Sequence, residues 1–279
     1  MHYYPIKVYA RMINKLFVYQ SFLKSFFNSS SARSILYSDK EWWDRLLKKG
    51  PFAGRYHLSF SSFKTSNLSD YDMVVPLTIP DLEISMARRD ELKSSIPIPS
   101  RESFNICNDK RLFNDFMLSH NFSDLIPGEL MAEQFPFMLK KITDEGGENT
   151  FVIKNVHDME MYQEQYDSLD YFTQNIVTGK REYATHILIK DGKIVNALTI
   201  VYLFRKDCYV KGKDNYACRF VTLNKHLSIF EKILGEMQFE GLCCVNYKEQ
   251  NGIPKILEIN PRFGGSLCEF FYPFIRNIA

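Results

Sequence analysis

The sequence predicts an α+β fold built mainly from antiparallel strands, and two features carry that prediction. Runs that alternate apolar and polar residues flank the dipeptides Asp191-Gly192 and Asn251-Gly252, the mark of tight β-hairpins. Between such runs lie stretches with apolar residues at three- and four-residue spacing, as in Phe113, Phe116, Met117 and His120, the mark of helices that bury one side. Hairpins interspersed with helices give a mixed architecture rather than a strict βαβ alternation. At 279 residues the chain is long enough for a sizeable core and two or more packed lobes.

Taken in order, the first thirty residues are aromatic and basic, with no acidic residue before Asp39. Lys7, Arg11, Lys15 and Lys24 interrupt the apolar run, so no stretch reaches the length of a membrane span, and no small-residue cleavage site marks a signal peptide. A helix packed on this protein or a partner is favoured over one lying on a membrane surface. "NSSSARS", 28–34, reads as a linker, and 39–50 as a short helix with an Asp cap and terminal Gly50. "RYHLSFSSF" predicts a strand. "YDMVVP" predicts another, ending at Pro76, with a helix from about Pro80. Residues 108–122 form an amphipathic helix with His120 at its end.

"FPFMLKKI", the polar "TDEGGENT" and "FVIKN" together predict a hairpin with a glycine-bearing tip. "HDMEMYQEQYDSL" reads as a helix and "YFTQNIV" as a strand. Residues 181–204 predict a hairpin at Asp191-Gly192, "NKHLSIFEKILGEMQF" a helix, and 241–259 a further hairpin.

Composition excludes some functions. A net charge of +2 does not support nucleic-acid binding through a strong positive field. The six cysteines (107, 208, 218, 243, 244 and 268) have no zinc spacing and sit mostly in apolar runs, which suits free thiols in a reducing cytoplasm.

Chemistry concentrates near the end, in "KILEINPRFGGS", 255–266. Alternation puts Leu257 and Ile259 on one face of a strand and Glu258 and Asn260 on the other. The pattern suits a half-exposed strand ending in a turn, and equally a pair of oxygen ligands for a hard cation beside a phosphate-binding guanidinium. Asn246 joins Glu258 only on a condition. A strict two-residue turn at Asn251-Gly252 would pair Asn246 with Leu257, whereas a three-residue loop or a bulge restores the shared face.

Further marks precede that segment: Lys110 opening a helix, Lys140 closing an apolar strand before Gly146-Gly147, and "TQNIVTGKREY" leading to Glu182. The whole order resembles the ATP-grasp superfamily of carboxylate–amine ligases, closest to the branch of the carbamoyl phosphate synthetase large subunit and its short single-module relatives. The resemblance spans about 70–279, with "EINPRFGGS" its most specific piece and "PLTIPDLE…IPIPSRESFNICNDK" its lead-in.

The resemblance implies two α+β lobes enclosing ATP, Mg2+ as the metal, and small-molecule carboxylate and amine substrates. It implies a domain at 100–279, a remnant of the preceding lobe at 56–99 and an atypical helical region at 1–55, where no glycine turn follows a first strand. Lys110 and Lys140 would bind the phosphates, with Lys141 the competitor to Lys140, under the loop of Gly146 and Gly147. Gln174, Asn175, Ile176 and Val177 would read adenine, the acidic position of the family falling on Asn175, or on Gln174 if the register slips. Glu182 would hold the ribose. Asn246, Glu258 and Asn260 would bind magnesium, Asn246 replacing a stronger ligand. Arg262 would hold the γ-phosphate and then the acyl phosphate, and Gly264, Gly265 and Ser266 would line the acceptor pocket. Lys211, Lys213 or Arg219 would add a cation. The implied reaction forms an acyl phosphate with release of ADP and phosphate. Nucleotide binding without ligation, and phosphotransfer, are the alternatives.

Overall fold

A computed structural model describes residues 4–25, 33–40, 42–128, 130 and 134–276. It opens with a long helix, α1 (Tyr4–Ser25). Strand β1 (Arg33–Tyr37) follows, then α2 (Trp43–Lys48), β2 (Tyr56–Phe60) and β3 (Met73–Val75). These strands form a three-stranded sheet in the order β2-β1-β3, parallel throughout. The helical reading of 1–55 is thereby corrected: β1 is the middle strand, and Ile35, Leu36 and Tyr37 are fully buried. Its first residues, Arg33 and Ser34, belong to the segment read as a linker, of which 28–32 lie outside the described residues. The Asp cap expected for α2 is absent too. Trp42 stands at the cap with φ 78° and no side-chain hydrogen bond.

Helix α3 (Ile79–Ala87) begins as predicted, with the Thr78 hydroxyl accepting from the Asp81 N–H at 3.2 Å. Two helices then meet end to end, α4 (Arg101–Asn108), which the sequence reading did not anticipate, and α5 (Lys110–Ser119). Ser100 caps the first. Asp109 caps the second, its carboxylate accepting from the Arg111 and Leu112 N–H groups at 2.8 and 2.9 Å, which fixes Lys110 as the first helical residue.

The small lobe is a sheet of β4 (Phe137–Lys141), β5 (Thr150–Ile153) and β6 (Tyr171–Asn175) with β4 central and antiparallel to both. The predicted helix at 157–169 is two short ones, α6 (Val156–Met161) and α7 (Gln163–Tyr166), broken at Tyr162. Phe137, Leu139 and Ile153 form this lobe's core. Alternation therefore sends Met138 and Lys140 to the opposite face, where Gln174 stands across from Met138.

The large lobe carries an antiparallel sheet of β7 (Arg181–Lys190), β8 (Lys193–Phe204), β9 (Tyr216–Thr222), β10 (Gly241–Gln250) and β11 (Ile253–Asn260), ordered β11-β10-β7-β8-β9. One face packs on α4, α5 and α8 (Leu227–Glu236) through residues such as Phe113, Phe230, Ile187 and Val245. The other packs on the parallel sheet and α9 (Phe271–Ile275), through Ala184, Leu188, Ile200 and Cys244. Period-two alternation extends that second face into polar positions at one end: Glu182, His186, Asn246, Glu258 and Asn260. Cys244 and Asn246 share a face, as do Ala184 and His186.

The bulge condition is met. Asn251 and Gly252, with φ 54° and 79°, make a two-residue turn that pairs Gln250 with Ile253. The register then shifts between Asn246 and Tyr247, so that Asn246 faces Glu258 instead of Leu257. Helix α1 lies on the edge of this sheet: the Asn14 amide oxygen accepts from the Val221 N–H at 3.0 Å, and Phe17 meets Phe270 edge-on at 5.8 Å.

Candidate nucleotide and metal site

A cavity of about 270 Å³ lies between the two lobes and gathers most of the predicted residues. Lys110, Lys140, Gly146, Gly147, Glu182, Asn246, Glu258, Asn260, Arg262, Gly264, Gly265 and Ser266 all line it. Of the three cations offered as alternatives, only Lys211 does. Lys213 instead donates to the Thr150 carbonyl at 2.9 Å, and Arg219 pairs with Glu269 at 2.9 Å.

The residues are already engaged with one another. The Asn246 amide donates to Glu258 Oε1 at 2.7 Å, and the Asn260 amide donates to the same oxygen at 3.0 Å. Lys110 stands 3.8 Å from Glu258 Oε2. Lys211 bridges the group, with its Nζ 2.6 Å from Asn246 Oδ1 and 3.1 Å from Glu182. Burial alone would push the Glu258 carboxyl up, but Lys110, the two amides and Lys211 outweigh it and hold it below its ordinary value. Burial would likewise strip Lys211 of its proton, and the neighbouring Glu182 reverses that and raises it. Burial does win at Lys140, whose ammonium is taken down to about 8 despite the pull of Glu258 and Glu182.

Lys140 faces the cavity by alternation with Leu139, and its Nζ donates to Gln174 Oε1 at 2.8 Å. Lys141, half-buried at the end of β4, does not line the cavity, so Lys140 is the cation this strand contributes. Gln174, Asn175, Ile176 and Val177 do not line it either. Gln174 is spent between Lys140 and the Pro127 carbonyl, the Asn175 N–H goes to Gly128 O at 3.0 Å, and Lys248 donates to the Val177 carbonyl at 2.7 Å.

The loop over the cavity is closed. Asp144 accepts from the N–H and amide of Asn149 at 2.9 and 3.0 Å, and Gly146 and Gly147 turn with φ 69° and 73°. A Cβ on Gly212 would come within 1.9 Å of the Gly146 carbonyl oxygen, so only glycine lets these two segments touch. Glu145, which the sequence reading passed over, reaches Arg262 at 2.9 Å. Arg262 also donates to the Phe263 carbonyl, while its buried Nε–H has no partner among the described residues.

Beyond Arg262 the wall is tight. A Cβ on Gly264 would meet His186 at 2.6 Å and one on Gly265 would meet Trp43 at 2.8 Å. His186 is buried, which with Lys211 and Arg219 takes its imidazole down to about 3. The neutral ring holds the Ser266 hydroxyl at 2.8 Å. Trp43, Tyr202 and Tyr209 add aromatic rings to the lining. No motif marked them, since their positions follow from packing between distant segments.

The donor set fits a single hard cation. It offers one carboxylate, Glu258, flanked by two amides that present oxygen by rotating about their last bond. Among the described residues no group of three or more Asp, Glu, His or Cys side chains is placed to hold a metal, so an ion here would depend on amide and phosphate oxygens beside the one carboxylate. Four cations, Lys110, Lys140, Lys211 and Arg262, line the cavity beside the carboxylates of Asp144, Glu182 and Glu258, and cations so gathered suit phosphate oxygens.

No protein-family model and no curated protein matches the sequence. Solved structures are similar in fold. They include an L-amino acid ligase from Bacillus licheniformis (TM-score 0.58, 12% identity, covering 87% of this chain and 70% of that one). A D-alanine–D-alanine ligase from Bacillus anthracis gives 0.55 at 13% identity, covering 85% and 88%. A phosphoribosylamine–glycine ligase from Thermotoga maritima gives 0.61 at 10% identity, covering 86% and 71%. With its cavity held between a three-stranded and a five-stranded antiparallel sheet and its likeness to these ligases, the chain has the ATP-grasp fold.

Proposed function

We propose that the protein is an ATP-dependent ligase that activates a small carboxylate as an acyl phosphate, with release of ADP and phosphate, for attack by an amine. One observation supports this most. Lys110, Lys140, Lys211 and Arg262 converge from four separate segments on one cavity around Glu258, Asn246 and Asn260. Three of these cations are held meanwhile by Glu258, Glu182 and Glu145, and a polyphosphate that took over those contacts would satisfy all four cations at once.

In this reading Lys110, Lys140 and the N–H groups of the Gly146-Gly147 turn hold the phosphates. Glu182 accepts from the ribose, a role for which it must share or give up Lys211. The segment 174–177 reads adenine from the rim, although the Gln174 side chain, the Asn175 N–H and the Val177 carbonyl are already engaged. Glu258, Asn246 and Asn260 hold magnesium, which when bound masks charge on the terminal phosphate oxygens. Arg262 holds the transferred phosphoryl group. Glu145 stands at Arg262 in the meantime and withdraws when a phosphate takes its place, since the guanidinium binds either anion in the same fork geometry. Ser266, fixed by neutral His186, points its hydroxyl toward the acceptor end.

The free thiols at all six cysteines support a reducing compartment such as the cytoplasm. The ordinary net charge supports small-molecule substrates over nucleic acid.

The test is turnover with a panel of amino acids and other carboxylates, in the presence of hydroxylamine in place of the amine. Hydroxylamine captures an acyl phosphate as a hydroxamate, which gives a coloured ferric complex. A hydroxamate formed only with ATP, Mg2+ and one class of acid is the expected result. ATP consumption that leaves a stable phosphorylated acceptor, with no hydroxamate from any acid, would make the protein a phosphotransferase.

A further inference from the structure

We infer that the outward face of α1 is a docking surface for an anionic lipid bilayer, separate from the nucleotide site. The helix has two different sides. Ala10, Asn14, Phe17 and Ser21 face the protein at helical spacing, and the Arg276 guanidinium donates to the Ser21 carbonyl. On the opposite side Val8, Met12, Leu16 and Tyr19 form a continuous stripe, with 41%, 57%, 56% and 57% of their surface exposed. Lys7, Arg11 and Lys15, all exposed, run beside that stripe at the same spacing. Apolar and basic rows side by side on a helix lying along a surface match a headgroup–acyl boundary.

Charge selects the partner. Residues 1–38 hold five Lys and Arg and no Asp or Glu, while the rest of the chain is net negative. A second copy of this chain would set Lys7, Arg11 and Lys15 against the same three residues, and like charges oppose that pairing. An anionic bilayer satisfies both rows at once, attracting the basic side chains and burying the apolar ones. The apolar surface continues past the helix into an open groove of about 710 Å³, lined by Val18, Phe52 and Phe270, by Lys15 and Lys49, and by Glu269, which Arg219 pairs. Among the described residues no helix is long and apolar enough to cross a membrane, so the contact is peripheral.

The experiment is co-sedimentation of the full chain, without ATP, with phosphatidylcholine vesicles and with mixed phosphatidylcholine–phosphatidylglycerol vesicles. We expect retention on the anionic vesicles at low salt, release as salt rises, and little retention on the neutral ones. Reversing Lys7, Arg11 and Lys15 to Glu should weaken partitioning at least about a hundredfold. Met12→Ser with Leu16→Ser, which leaves every charge in place, should weaken it as well. None of these positions touches the cavity, so ATP binding should be unchanged in both variants, and it serves as the check on folding. Absence of retention on anionic vesicles, or equal retention on both kinds, overturns the inference. The first of those results would leave the face to an acidic protein partner.

Discussion

Glu258→Gln should lower ATP-dependent turnover at least about a hundredfold, the scale of losing one electrostatic stabiliser in a closed site. The substitution keeps the side chain's shape and one oxygen, so the hydrogen bonds from Asn246 and Asn260 at 2.7 and 3.0 Å can persist. Only the charge is lost, and Glu258 carries the single carboxylate of the proposed metal set. Stability should fall too. The Glu258 carboxyl is held below its ordinary value by Lys110, the amides and Lys211 against the cost of burial. A depressed acid stabilises the fold above its unfolded pKa and loses that contribution as pH falls through its folded one. The difference in melting temperature between parent and variant should therefore be full at neutral pH and vanish in acid. Turnover of Glu258→Gln close to the parent's would remove the residue from the machinery.

Lys140→Met should have an equally large effect on turnover with the opposite effect on stability. Lys140 is only 7% exposed, so its charge bears on folding as well as on turnover. Burial takes its ammonium from 10.5 to about 8, a penalty of about 3 kcal/mol at neutral pH by linkage. The sign follows from proton counts. Between about 8 and 10.5 the unfolded chain holds a proton that the folded one has released, so the penalty is full below that window and fades as pH rises through it. Methionine removes the charge at similar length, and the lost hydrogen bond to Gln174 returns about 1 kcal/mol of the gain. The variant should melt higher than the parent at pH 7, with the gap closing toward pH 10. ATP affinity of the parent should itself decline above about pH 8, as the free Lys140 loses its proton. A variant that melts lower at pH 7 would mean that the ammonium is stabilised by its surroundings rather than strained by them.

Much of this arrangement was legible in the sequence wherever a short-range rule applied. The Glu258 and Asn260 pair followed from alternation in β11, Lys110 from the Asn-Asp start of its helix, and Lys140 from the end of an apolar strand. The bulge that brings Asn246 to Glu258 was stated as a condition, and the register shift meets it. Strand β1 was not legible because five residues after a serine-rich run carry too little pattern, and its burial comes from the parallel partners on both sides. Lys211 could not be separated from Lys213, since irregular chain has no period from which to read a face, nor from Arg219, since the position of β9 in the sheet depends on its pairing with β8. Trp43, His186 and Glu145 reach the site through contacts between segments far apart in sequence. The occupation of Gln174 by Lys140 likewise depends on the pairing of β4 with β6.

The central claim is that this cavity transfers the terminal phosphoryl group of ATP to a carboxylate. Phosphorus NMR of the complete reaction, with a carboxylate that yields a hydroxamate and an amine that it accepts, tests that directly. The account predicts ADP and inorganic phosphate in equal amounts, matched by the amide formed, because Lys140, Arg262 and Glu258 gather charge stabilisation at the end of the triphosphate. AMP and pyrophosphate as the stoichiometric products would contradict it, and would move the chemistry to the α-phosphorus within the same fold.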